Sequence, residues 1–240
     1  MSEADTRARI LGAAEVLFTE QGFEATTMRQ ITGAAAVNLA AVNYHFGSKE
    51  ALIREVFSRR LTWLNQQRLQ ELDRLEAEAG GMPLKPSKIL EAFFGVALKM
   101  AADTEGGGRI FMRLLGRTYT KPSEFVRGFL AEEYAAVTAR FKAALIKALP
   151  GVPAEEILWR FHFMLGAMSY AISGADALHV VDGAQHDEGD PEVLYARLMS
   201  FMIGGLRAPL PKLPARSAKR PRLAQAACSQ ASSAAKAASR

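Results

Sequence analysis

Two short runs, Thr26-Thr27-Met28-Arg29-Gln30-Ile31 and Val37-Asn38-Leu39-Ala40-Ala41-Val42-Asn43-Tyr44-His45-Phe46-Gly47-Ser48-Lys49, constrain the fold of this chain more than any other stretch. Thr27 followed three residues on by Gln30 is a capping box, in which each side chain satisfies an N–H that the first helical turn leaves open, so a helix starts at Met28. Asn38 has the short carbonyl side chain that caps a second helix. Gly47 suits the left-handed residue that ends it, and Ser48 caps the next. This punctuation spells two short helices, a tight turn of about three to four residues and the start of a longer helix.

The remaining sequence also has helical spacing. Ile10, Ala13, Ala14, Leu17 and Phe18 form a stripe on a first helix that stops at Gly22. Behind Ser48, the apolar positions Leu52, Val56, Leu61, Leu64, Leu72 and Leu75 run to about Ala79, where Gly80-Gly81-Met82-Pro83 breaks the pattern. Such a helix, roughly 45 Å long at 1.5 Å per residue, is able to join two domains. Beyond Pro86 the helices carry larger apolar groups: Phe93, Phe94, Val96 and Leu98 on one, Ile110, Phe111, Leu114 and Leu115 on the next. Pro122 is expected to open a helix to about Leu149, and the most apolar helix to run from Ile157 to about Leu178. The last should span Glu192 to Leu206, with Val193, Leu194, Leu198, Met199, Phe201, Met202 and Ile203. No alternating stretch bounded by turn residues predicts a strand.

Charge is unevenly spread. The chain holds 30 basic and 25 acidic residues, but residues 208–240 carry Lys212, Arg216, Lys219, Arg220, Arg222, Lys236 and Arg240 and no acid. Without those seven, 1–207 holds 23 basic and 25 acidic residues, a net of −2. Attraction to phosphate must therefore come from placement rather than bulk charge. The single cysteine, Cys228, permits no internal disulfide and offers no zinc cluster. The N-terminus lacks a basic start followed by an apolar run, and no eighteen apolar residues run together, so a soluble, non-exported, cytoplasmic protein is expected. His186-Asp187-Glu188 with Asp190 lacks a second spaced histidine, so no metal site is expected. Gly106-Gly107-Gly108 is not followed by the Lys-Ser/Thr of a phosphate loop. With no triad spacing or paired carboxylates, neither an enzyme nor a cofactor is expected.

The surface of the short-helix unit points to double-stranded DNA. Asn38, Asn43, Tyr44 and His45 carry groups that hydrogen-bond base edges or phosphates, while Leu39, Ala40 and Ala41 are small enough to approach thymine methyls. Val37, Val42 and Phe46 should point inward. Arg29 is placed to reach a guanine edge, and Thr27, Tyr44 and Lys49 to meet phosphates beside helix N-termini.

Residues 7–53, with Ile31, Val37, His45-Phe46, Ser48-Lys49 and Leu52, resemble the N-terminal domain of TetR-family transcriptional regulators. The resemblance implies an all-α homodimer with two heads in successive major grooves of a palindromic operator. It also implies a C-terminal domain that releases DNA on binding a small molecule. Two positions depart from the family pattern. Ala36 stands in the turn where glycine is usual, and Asn43 stands where tyrosine is common, which suggests a different base preference because Asn bonds adenine bidentately. The stretch Val37 to Val56, together with Ile110-Phe111-Met112-Arg113-Leu114-Leu115-Gly116 and Trp159-Arg160-Phe161-His162-Phe163-Met164-Leu165-Gly166-Ala167, is similar to the PsrA-type branch, whose regulators respond to long-chain fatty acids, a resemblance that runs from about residue 7 to residue 206.

Together these readings predict an all-α chain. Residues 1–48 form a three-helix helix-turn-helix DNA-binding domain, 49–79 a long connecting helix, 80–207 a larger helical domain for ligand binding and dimerisation, and 208–240 a disordered basic tail. The body's Phe and Met content suits a small apolar effector, a fatty acid or acyl-CoA, and Phe93, Phe111, Met112 and Phe163 are its candidate walls. A buried carboxylate needs a partner, for which Arg113, Arg117 and His162 are candidates. Helices 157–178 and 192–206 expose enough apolar surface for two-fold pairing. Two other readings stay open: a TetR-type repressor of efflux genes that senses a xenobiotic, and a non-specific architectural DNA binder dominated by the tail.

Overall fold

The computed structural model describes residues 3–120, 122–173 and 191–212. The acidic loop with His186, Asp187, Glu188 and Asp190, the end of the apolar helix beyond residue 173, and the tail from residue 213 with Cys228 lie outside the described residues. The protein is all-α, and no strand occurs among the described residues.

The helices are α1 (Glu3–Gln21), α2 (Met28–Ala34), α3 (Leu39–Phe46), α4 (Lys49–Glu78), α5 (Pro86–Leu90), α6 (Val96–Ala102), α7 (Gly108–Thr120), α8 (Glu124–Ala148), α9 (Ala154–Ile172) and α10 (Pro191–Arg207). A single π turn, Glu91–Gly95, joins α5 to α6. The boundaries are chemical. Gly22 ends α1 at φ +86°, and Ser48 accepts the Ala51 N–H to start α4. Two starts differ from the sequence expectation by two residues or more. Helix α8 begins at Glu124 rather than Pro122, because the Ser123 side chain accepts the Val126 N–H and becomes the cap. Helix α9 begins at Ala154, directly after Pro153, three residues before its first fully buried apolar residue, Ile157.

Helix α1 packs on α2, α3, α4 and α7, so it belongs at once to the head and to the body. In the head, Ile10, Ala14, Phe18, Ile31, Val42, Leu52 and Val56 are buried together. The same core continues along α4: Phe57 meets the rings of Phe111 on α7 and Phe129 on α8 at 6.0 and 6.1 Å. In the body, α7 and α9 approach so closely that a Cβ at Gly116 would lie 2.8 Å from the Ser169 carbonyl oxygen. The π turn places both Phe93 and Phe94 inside, where Phe93 packs edge-on against Phe141 and Phe161 at 5.0 and 4.8 Å. An inserted turn of this kind also frees a carbonyl from the regular ladder. Here the Phe93 carbonyl accepts Nε of Arg68, at 2.9 Å.

Candidate nucleic-acid interface and its link to the body

The head's two short helices are joined by a locally braced turn. At its entry the Thr27 N–H donates to Gln30 Oε1 at 2.7 Å, and the Gln30 N–H returns to Thr27 Oγ1 at 3.3 Å, completing the capping box. At the exit of α2, the Val37 N–H reaches the Thr32 carbonyl and the Ala36 N–H the Gly33 carbonyl, the pair of bonds of a Schellman ending. That ending needs a left-handed residue, and Ala36 supplies it at φ +50°. Arg9 of α1 then donates from Nη2 to the Ala35 and Ala36 carbonyls at 2.5 and 3.1 Å, tying the turn to the first helix. Asn38 accepts the Ala41 N–H through Oδ1 at 2.8 Å and starts α3, leaving its amide NH2 facing out.

Helix α3 is held by Val42, which is fully buried, with Val37 and Phe46 half-buried against the same core. Its other face is open: Leu39, Ala40, Asn43 and Tyr44, at spacing i, i+1, i+4, i+5, line one exposed side with Asn38 at its head. Tyr44 is 77% exposed and stands edge-on to His45 at 5.2 Å, while His45 and Ala41 are half-buried. Thr27 and Arg29 are exposed at the start of α2. Lys49 behaves differently. Its ammonium sits 4.4 Å from the centre of the Phe23 ring and 3.4 Å from the Glu24 carbonyl, so the α1–α2 loop holds it beside the head.

The residues offered as ligand contacts do not meet in one cavity. Phe93, Phe111 and Met112 are in the closed core. Arg113 is half-buried, and Arg117 donates from Nη1 to the Thr19 carbonyl of α1 at 2.5 Å. His162 and Phe163 face outward on α9. His162 lines a hollow of about 400 Å³ with Glu155, Leu158 and Trp159, and Phe163 is 64% exposed beside the Trp159 ring. A larger cleft of about 740 Å³ opens between α4, the π turn, α6 and α10. Trp63, Val96 and Met100 give it apolar wall, and the basic Arg59, Arg60, Arg74 and Lys99 share its polar wall with the acidic Glu71, Glu91 and Asp103.

One cleft residue reaches the head. Arg60 Nε donates to Oε1 of Glu15 on α1 at 2.8 Å, and its Nη2 to the Gly106 carbonyl at 2.8 Å. Arg59 adds a second, longer contact to Glu15 at 3.3 Å. Glu15 is buried, and that burial pushes its carboxyl above the ordinary value of 4.5 in spite of the two guanidiniums beside it. Neither Glu15 nor Arg60 was marked by the sequence, because their spacing of 45 residues carries no local signal.

This fold and surface define an all-helical protein with a helix-turn-helix head on a larger helical body. Residues 10–56 match the family of bacterial regulatory proteins, tetR family, and residues 91–205 match the tetracyclin repressor-like C-terminal domain. The chain belongs to the TetR family. It is 43% identical over 51 residues to the HTH-type transcriptional regulator UidR of Escherichia coli K12, a match covering 21% of this chain and 26% of that protein. It is 36% identical over 70 residues to the HTH-type transcriptional repressor KstR2 of Mycolicibacterium smegmatis, covering 29% and 34%. These matches thus span a quarter to a third of the curated relatives. The fold is shared with the fatty acid degradation regulator FadR of Bacillus halodurans, at 15% identity and a TM-score of 0.56 over 84% of this chain and 96% of that one. The family and these relatives are regulators, not enzymes.

Proposed function

We propose that this chain is a transcriptional repressor that binds a palindromic operator as a homodimer and is released when a long-chain fatty acid or its acyl-CoA enters the body. The observation that carries the reading is Arg60, which lines the 740 Å³ cleft and also holds the buried Glu15 of α1. A ligand that displaces α4 in the cleft pulls on this pair, and separating a buried ion pair leaves an uncompensated charge. Helix α1 carries the strain to the turn through Arg9. Coupling of about 1–3 kcal/mol between ligand and DNA is the expected scale.

The DNA contacts are Thr27, Arg29, Asn38, Leu39, Ala40, Ala41, Asn43, Tyr44 and His45, with Lys49 set against the loop at the edge. Helices α9 and α10 support pairing of two copies: Leu158, Trp159, Phe163 and Tyr170 on one, and Val193, Leu194 and Phe201 on the other, are exposed large apolar side chains. To read successive major grooves, such pairing has to set the two α3 helices about 34–36 Å apart, one turn of DNA.

Fluorescence anisotropy of labelled DNA from the gene's own upstream region tests this. Expected is specific binding that a long-chain fatty acid or acyl-CoA reverses. Release by flat aromatic cations instead assigns a xenobiotic effector, and salt-sensitive binding to any DNA assigns the architectural role; either outcome refutes the proposal.

A further inference from the structure

Arg68 on α4 is fully buried and has no carboxylate partner among the described residues. Its Nε donates to the Phe93 carbonyl at 2.9 Å and its Nη1 to Asn65 Oδ1 at 3.1 Å. Asn65 is itself fixed by donating to the Glu133 carbonyl at 3.1 Å, which keeps its oxygen turned to Arg68. The guanidinium lies 3.9 Å from the centre of the Phe93 ring. Nη2 is a buried donor without an acceptor among the described residues. All the oxygens that Arg68 meets are neutral, so a full positive charge is buried with dipoles and ring faces alone to offset it. That is a costly arrangement for a folding core.

We infer that Arg68 is the anchor for the free carboxylate of an apolar effector, with Nη2 as the donor held open for it. This rests on the effector-responsive reading above and decides within it between the free acid and the acyl thioester, since only the acid bears its negative charge at the head of the acyl chain, where the thioester has a neutral carbonyl and its phosphates lie far off. A carboxylate accepts the guanidinium fork and cancels the buried charge in one step. The rings of Phe93, Phe94, Phe141 and Phe161 surround the same guanidinium or one another, a closed core that the tail must part to reach it. The π turn is the hinge that admits it: Phe93 and Phe94 face Arg68 and the core, while Glu91 and Gly95 of the same turn line the cleft. Widened turns of this type recur at functional sites. The Tyr119 hydroxyl donates to Tyr134 at 2.5 Å, and burial pushes the Tyr119 hydroxyl above its ordinary value, so it does not supply the missing anion.

The test is direct binding to the full-length protein, separate from DNA release. Decanoate, decanol and decanoyl-CoA are titrated by calorimetry against the wild type, Arg68→Met and Arg68→Lys. Expected is that decanoate binds the wild type more tightly than either neutral-ended or thioester ligand, and at least about 30-fold more weakly to both variants. Arg68→Met, which removes an uncompensated buried charge, is expected to melt no lower than the wild type. In parallel, decanoate labelled with carbon-13 at the carboxyl is expected to remain ionised when bound at pH values where the free acid takes up its proton. Equal binding of decanol, preference for the thioester, undiminished binding to Arg68→Lys or a bound carboxyl that titrates normally would each overturn the assignment. Should decanoate bind through Arg68 and leave the operator complex intact, the anchor stands and the release mechanism fails.

Discussion

The head and the body solve the same problem, holding a polar surface on an apolar core, by opposite means. In the head the turn and the helix starts are set mainly by neighbours a few residues away, Thr27 by Gln30, Asn38 by Ala41 and Ala36 by Gly33, with Arg9 and Lys49 as longer-range braces. In the body the decisive groups are fixed across long separations: Arg60 by Glu15, Arg68 by Phe93, Arg117 by Thr19. A surface built from local bonds stays put when the rest of the protein moves. A surface built from distant ones moves when its helices move, and this difference suits one region to reading a fixed duplex and the other to sensing.

The sharpest way to break the contrast is to remove the shared core under the head. Ile31 is fully buried between α2 and its neighbours. Ile31→Ala is expected to cost about 2–5 kcal/mol, by lost transfer energy and the cavity left behind. Thermal unfolding should show the loss, and operator binding should fall with it even though every DNA-facing side chain is intact.

Next comes Asn43, exposed on the open face of α3. Asn43→Ala is expected to weaken specific binding by about 1–3 kcal/mol and to relax base preference at one operator position. Because the side chain supports no packing, the melting temperature should be unchanged. A matched loss of stability would mean that the residue belongs to the fold instead of the interface.

The same contrast explains what was legible in the sequence. Caps and stops are local chemistry, so α2, α3 and the start of α4 could be placed to the residue from Thr27, Asn38, Gly47 and Ser48. The π turn could not, because it arises from two adjacent phenylalanines both being drawn inward by α8 and α9. Phe93, Phe111 and Met112 were offered as ligand walls since composition does not separate a cavity lining from a packed core; all three are closed in. Arg68 ends the polar run Asn65-Gln66-Gln67-Arg68, which reads as a solvated helix face, and its burial against Phe93 depends on a residue 25 positions away. The Ser123 cap was hidden by its neighbour Pro122, a common first residue of a helix.

A smaller effect separates the two regions by pH. The Glu15 carboxyl is raised above 4.5 by burial, with Arg60 and Arg59 opposing. The folded state therefore holds its proton more tightly than the unfolded chain, and stability contributed by the protonated form is lost as pH rises from 4.5 through the raised value. Glu15→Gln keeps the shape and removes the titration. Relative to Glu15→Gln, the wild type is expected to lose stability as pH climbs through that window and to stay level above it. Melts of the two proteins at successive pH values check the sign, and a wild type that gains stability across the window would show that the guanidiniums outweigh burial.

The smallest effect tests how rigid the head must be. Ala36 adopts φ +50°, a conformation that costs an L side chain about 1–2 kcal/mol and costs glycine nothing. The turn accepts this strain because the Schellman bonds from Ala36 and Val37 and the two carbonyls held by Arg9 all require it. Ala36→Gly relieves the strain but loosens the unfolded chain, so the net gain should be below about 1 kcal/mol, a rise of roughly 2 °C in Tm. Operator affinity should not change, since Arg9 and the flanking caps still define the turn. If affinity falls while stability rises, the alanine's methyl group restricts the angle between α2 and α3, and the head's geometry depends on the strained residue as well as on its caps.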